Sequence, residues 1–309
     1  ATAIYATGKG LPRYLFAEFI WAASGALASG ADEAMVYDSL KAAGDEDRSK
    51  KALSLLSSYD IGAIAFAAPI GSLMAARWGL QFTLFAMLIP FFLGLMLSLT
   101  LREPPTGEEG AKPSYREVLT RGVRYFSAHK PLRALAFDSV TIWMLSFMTI
   151  WLFQPRLKEL GVGMSVYGFV TAGLTLTQIA VMSNIERVES FFGGTRRYLI
   201  WSAVLPGFAF LALPFATNPW AACALFVVIP AFGMSRSVLI SNYMNKHIGS
   251  AQRATVLSSV SMGRTLMGMI VLPAVGLLTK ISLPWTFTAL GAAILACAWA
   301  SSVEEAHLS

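Results

Sequence analysis

The stretch LQFTLFAMLIPFFLGLMLSLTL, residues 80–101, contains no charged side chain. Wound as an α-helix at 1.5 Å per residue it is about 33 Å long, and the hydrocarbon core of a bilayer is about 30 Å thick. Comparable apolar runs lie near 12–36, 53–76, 132–154, 164–184, 197–216, 218–241, 254–279 and 283–303, so the sequence predicts nine transmembrane helices. Pro69, Pro90, Pro206, Pro230 and Pro273 fall inside these runs. They do not argue against helices, because neighbouring helices re-satisfy the backbone groups that proline frees in lipid. The first two runs are the least clean, with Asp32, Glu33 and Asp60 inside or at the edge of them.

Composition leads to the same class. Hydrophobic residues make up 55% of the chain and charged residues 14%, with a mean hydropathy of +0.58; soluble domains carry about 25% charged residues. The charges bunch between the apolar runs instead of following a 3.6-residue spacing along them. The net charge of +6 comes mostly from loops and forms no basic stripe with interleaved aromatics, so no nucleic-acid partner is expected. Cys223 and Cys297 stand alone inside apolar runs and are expected to pack, with no disulfide framework and no CxxC site. His129, His247 and His307 fall in loops or the tail without metal-ligand spacing. The motifs GxxxxGKS/T, GxSxG, HExxH and GxGxxG do not occur, which leaves ATP-driven pumping and the common hydrolase or dinucleotide chemistries without support. No enzyme, metal or cofactor is expected.

Lysine and arginine in alternate loops set the orientation. One set, in 41–51, 102–133, 187–197 and 246–253, holds sixteen; the other, Lys9, Arg13, Arg77, Arg156, Lys158 and Lys280, holds six. The richer set is expected in the cytoplasm. The longest break, from Arg102-Glu103-Pro104-Pro105 onward, divides the chain. Residues 1–103 are expected to hold three helices of a front bundle, 104–131 a linker with a short amphipathic helix, 132–303 a six-helix back bundle, and 304–309 a cytoplasmic tail.

An internal repeat supports two related halves. A shift of 204 residues lays Pro69 on Pro273, Leu53 on Leu257, Ser54 on Ser258 and Asp38 on Asn242. Each copy reads as helix, basic turn, then a helix with a proline and a nearby glycine.

Several segments carry a resemblance. Ser29-Gly30-Ala31-Asp32-Glu33-Ala34-Met35-Val36-Tyr37-Asp38 closes the first run, and Ala68-Pro69-Ile70-Gly71 lies in the second. Phe153-Gln154-Pro155-Arg156-Leu157-Lys158-Glu159-Leu160-Gly161 follows the fourth, and Asn245 with Arg253-Ala254-Thr255-Val256-Leu257-Ser258 enters the eighth. Together they make the chain similar to the major facilitator superfamily. Glu186-Arg187 through Gly193-Gly194-Thr195-Arg196-Arg197 resembles a degenerate copy of that family's acidic–basic loop signature. Glu18 stands where the family often carries an arginine, so that arginine's proton-relay role is not carried over. The resemblance implies an all-α polytopic membrane protein with a twelve-helix, two-bundle fold whose first three helices are absent here; a chain opening on Ala1 is then expected to be a fragment or processed product. It also implies alternating access around a midplane site, with a small-molecule substrate, protons and the lipid bilayer as partners, in the cytoplasmic membrane. Secondary transport, proton-coupled and in the efflux direction, is the expected function. A non-transporting receptor of the same fold and a polytopic lipid-modifying enzyme are the rivals.

Charges inside spans cost about 2.5–3.5 kcal/mol each at helix centre on insertion scales. The candidates are therefore few. Glu18, Glu33, Asp138, Gln154, Gln178 and Asn242 are expected to line a cavity. Asp32, Asp38, Asp60, Arg236 and Arg264 are expected at a cytoplasmic gate, because the 204-residue shift maps Asp32 onto Arg236 and Asp60 onto Arg264. In the resembled fold these helix ends meet, so an inter-bundle latch is one reading of them and local helix-end bonding the other. Asp138 either titrates or faces the cytoplasmic vestibule. The tryptophans Trp143, Trp151, Trp201, Trp220 and Trp285 are expected in interface belts or packing.

Overall fold

A computed structural model describes residues 1–28, 31–102, 120, 129–246 and 253–300. The described residues are 89% helical, and no strand occurs among them. In chain order the helices are α1 (Thr2–Thr7), α2 (Leu11–Ala28), α3 (Ala31–Ala42), α4 (Ser49–Trp78), α5 (Leu80–Ala86), α6 (Leu88–Ser98), α7 (Lys130–Phe147) and α8 (Thr149–Glu159). They continue with α9 (Tyr167–Ser183), α10 (Ile185–Phe191), α11 (Thr195–Ala212), α12 (Pro219–Gly233), α13 (Arg236–Lys246), α14 (Arg253–Ile281) and α15 (Leu283–Ala300). Seven described segments are long and apolar enough to cross a membrane: 46–78, 80–98, 132–159, 164–183, 195–215, 259–281 and 283–300. The protein is an all-α polytopic membrane protein.

Two of the nine expected spans come out differently. The first, 12–36, is not among these segments: α2 carries Arg13 and Glu18, and α3 holds Asp32, Glu33, Asp38 and Lys41 within 12 residues. Its polar end lies in α3. The seventh, 218–241, stops at Gly233 and restarts at Arg236. Its apolar part, α12, has 15 residues, about 22 Å at 1.5 Å per residue, short of the bilayer core. The break has local causes. Ser235 Oγ donates to the Ala231 carbonyl, and Ser237 Oγ donates to that of Met234 at 2.8 Å. Hydroxyls that bond carbonyls one turn back bend helices.

The chain forms two compact units. The first comprises Ala1–Ala111 with Gly163–Ala172. In it, Gly79 turns the chain between α4 and α5 at φ 88°, a conformation side chains rarely adopt. Pro90 has no N–H to offer Ala86, four residues back, and the helix is interrupted at Met87, between α5 and α6. No residue of α6 is buried, although it is almost wholly apolar. Such a helix has no stable place in water and a natural one in lipid. Around Pro69, Ser72 Oγ donates to the Ser165 carbonyl at 3.0 Å, and Gly168 sits so close to Ala68 and Ser72 that a Cβ there has no room.

The second unit comprises Lys112–Val162 and Gly173–Ser309. Leu132, Leu135, Tyr198, Leu199, Leu239, Ile240, Met244, Val256 and Val260 form its apolar core where α7, α11, α13 and α14 meet. Lipid tails are as apolar as leucine, so helix association in a membrane rests on close packing more than on burial. Gly207 of α11 and Gly291 of α15 provide that closeness, since a Cβ on Gly291 would stand 2.7 Å from the Gly207 carbonyl oxygen. Arg156, only 8% exposed, fastens α8 to the turn after α11. It donates to Glu159 at 2.9 Å and to the carbonyls of Pro214 and Ala216 at 3.2 and 3.1 Å. Hydrogen bonds from a charged group contribute about 1.5–3 kcal/mol. Arg156→Met is therefore expected to destabilise the protein by about 2 kcal/mol, read as a lowered melting temperature in nanodiscs; an unchanged melting temperature would show the contacts to be incidental.

The linker at 104–131 and the tail at 304–309 fall almost wholly outside the described residues, as do the side chains of Glu33 and Asn242.

Candidate functional site

Two arginines that enter the interior of the second unit, Arg236 and Arg264, converge on α7. Asp138, about two turns into that helix, is 2% exposed, and Arg236, which opens α13, is 1% exposed. Arg236 Nη2 donates to Asp138 Oδ1 at 2.5 Å across 98 residues of sequence. On the adjoining residue, Ser139 Oγ accepts from Arg264 Nη2 at 2.6 Å. The Arg264 guanidinium lies 4.9 Å from the centroid of the Trp143 ring, which attracts it through the negative face of the π-system. Tyr198 and Ser235 complete the surround, their hydroxyl oxygens 3.0 Å apart.

This network is incompletely satisfied. Arg236 Nε and Nη1 and Arg264 Nε are buried without a hydrogen-bond partner among the described residues. A buried donor without an acceptor costs about 1–3 kcal/mol, more when charged. A buried ion pair also repays its desolvation only when its remaining protons are bonded. The pair is therefore held at some expense to stability, which is the usual mark of a functional charge inside a membrane protein.

Beside it lies a half-open cavity of about 150 Å³, lined by Asp138, Arg196, Leu199, Ile200, Ala203, Arg236 and Ala298. Four of these residues, 196, 199, 200 and 203, share one face of α11 by the i, i+3, i+4, i+7 rule. Gly193 and Gly194, at φ 80° and 115°, make the turn that starts this helix and places Arg196 in its first turn. Next to Arg196, the Thr195 hydroxyl bonds the Glu189 carboxylate and lies 3.0 Å from the Tyr243 hydroxyl. Burial first, and the neighbouring Glu186 second, push the Glu189 carboxyl above the ordinary carboxylate range.

The expected site residues do not all gather here. Asp138 and Arg236 meet, and Arg264 joins through Ser139. The expected latch joined Asp32, Asp38 or Asp60 of the first unit to Arg236 or Arg264 of the second; within the second unit Arg236 pairs with Asp138. Asp138 is engaged with Arg236 and buried. In the first unit, Glu18 is exposed and bonds Tyr5, whose hydroxyl is pushed up to about 12 by burial and then by Glu18. Asp32 and Asp60 are exposed, and Asp38 is half-buried beside Tyr37. Gln154 is exposed, and Gln178 is half-buried with Nε2 3.8 Å from Met182 Sδ.

Three participants were not among the candidates: Arg196, assigned to a loop signature; Ser139; and Trp143, assigned to belts and packing. The α11 spacing could have found Arg196, since it begins the same face as Leu199, Ile200 and Ala203. No protein-family model matches the chain, and no curated protein is significantly similar to it.

Proposed function

We propose that this protein is a secondary transporter of the major facilitator type, moving a small molecule across the cytoplasmic membrane by alternating access, coupled to protons and in the efflux direction. The supporting observation is the Asp138–Arg236 pair, buried in a helical membrane unit beside a cavity and left with unbonded donors. A purely structural role favours apolar packing at such a place, which is often as stable or more so. A carrier needs charges that exchange partners as it changes state, and a carboxylate is the natural group to take up a proton when its arginine is drawn away. In this reading the linker and C-terminus are cytoplasmic, and the chain carries no enzymatic activity or cofactor.

The test is flux. The purified chain in liposomes with an imposed pH gradient is expected to move at least one compound of a broad panel, with transport collapsing when a protonophore dissipates the gradient. Protein shown to be folded in those vesicles and passing no compound in either direction would overturn the proposal.

A further inference from the structure

We infer that the cavity on α11 is a binding site for a small oxyanion, a carboxylate or phosphate group, gripped between Arg196 and Arg236. Its lining holds two guanidinium groups against one carboxylate. Arg236 donates to Asp138 through Nη2, and the Nε and Nη1 of this 1% exposed arginine, which lines the cavity, have no hydrogen-bond partner among the described residues. An oxyanion supplies the acceptors these donors lack, and a guanidinium presents them in a fork that fits two oxygens. Arg236 also opens α13, after the break that follows α12, and a helix N-terminus adds partial positive charge. Arg196 faces the same space from the exposed end of α11, where an incoming anion meets it first. Leu199, Ile200 and Ala203 give the rest of the wall an apolar lining, which suits a ligand with a short hydrocarbon body and one charged end.

A cationic ligand fits less well. It would have to displace Arg236 from Asp138 and leave a fully desolvated guanidinium with no acceptor. The inference rests on the transport reading only in treating the oxyanion as cargo; the site itself is a matter of binding and can be tested without flux.

The full chain in nanodiscs of phosphatidylcholine alone is titrated with inorganic phosphate and with succinate, with choline chloride at matched ionic strength as the cationic control. A saturable rise in melting temperature is expected with at least one anion and none with choline. Arg196→Gln, a change at an exposed position, is expected to weaken that anion roughly tenfold or more, Arg196→Lys to keep part of the affinity, and Arg197→Gln to leave it unchanged. Repeating the titration with phosphatidylglycerol in the disc separates the sources of the oxyanion. Loss of the response there assigns the site to a lipid headgroup, and persistence assigns it to a free solute. No response to either anion, a response to choline instead, or equal weakening by Arg196→Gln and Arg197→Gln would overturn the inference. Flux of a cation without anion binding would overturn it and leave the transport proposal standing.

Discussion

Asp138→Ala is expected to destabilise the protein by about 3–5 kcal/mol, the usual result of removing one partner from a buried ion pair. Arg236 is 1% exposed and already has two nitrogens without partners. Losing the carboxylate leaves a desolvated cation with no acceptor at all among its described contacts. The alanine also opens space beside Ser139 and the cavity, so water can partly hydrate the guanidinium, which sets the lower end of the range. The double variant Asp138→Leu with Arg236→Met removes both charges and keeps most of the volume. It is expected to recover most of the loss and could exceed the native stability, since apolar replacements of buried ion pairs are often neutral or stabilising. Unfolding by a denaturing detergent, followed by circular dichroism, reads all three proteins. A single variant within about 1 kcal/mol of the native protein would mean that Arg236 is hydrated in the membrane and that the pair is not buried as described.

Gly291→Leu carries the second large effect. A Cβ at this position would stand 2.7 Å from the Gly207 carbonyl oxygen and 2.8 Å from Leu211 Cγ, and one on Gly207 would stand 2.7 Å from Leu295. The nearest obstacle is backbone, which cannot rotate aside, so α11 and α15 must separate. Overpacking costs about 1–3 kcal/mol where side chains can adjust, and the upper part of that range is expected here. Gly276→Leu in α14 is the control. A Cβ there meets nothing within 4 Å, and leucine is the better helix former, so its stability should stay within about 0.5 kcal/mol of native or rise slightly. Equal effects from the two substitutions would show that Gly291 is not required for the close approach of α11 to α15.

The membrane class was legible because lipid imposes one rule on every span: about 20 apolar residues with the backbone bonded within itself. Residues 80–101 satisfy that rule on inspection. The rule sums composition over a window, and this is why it passed over the interruption at 234–235. The two serines that bend the helix there, Ser235 and Ser237, hardly alter a hydropathy average, yet they shorten the apolar helix to 15 residues. The first run is not among the segments apolar enough to cross a membrane, because Arg13 and Glu18 stand in α2 and Asp32, Glu33 and Asp38 in α3.

At the site, the cost of burying charge drew attention to Asp138, Arg236 and Arg264, and the structure brings Arg236 to Asp138 and Arg264 to Ser139. Who pairs with whom was not legible. Asp138 and Arg236 lie 98 residues apart, on helices whose contact depends on packing, and no periodicity connects them. The repeat compares equivalent positions, such as Asp32 and Arg236, and carries no information about which helices pack within one unit. Ser139 and Trp143 gave no signal of their own; a serine and a tryptophan in an apolar run are ordinary, and only the approach of Arg264 gives them a part in the network.

The central claim is that the Asp138–Arg236 pair is retained for movement and not for stability. Proton-gradient-driven flux in liposomes, compared between the native protein and the Asp138→Leu, Arg236→Met double variant, tests it most directly. A double variant as stable as the native protein that transports nothing is expected. A stable double variant that transports at the native rate would contradict it.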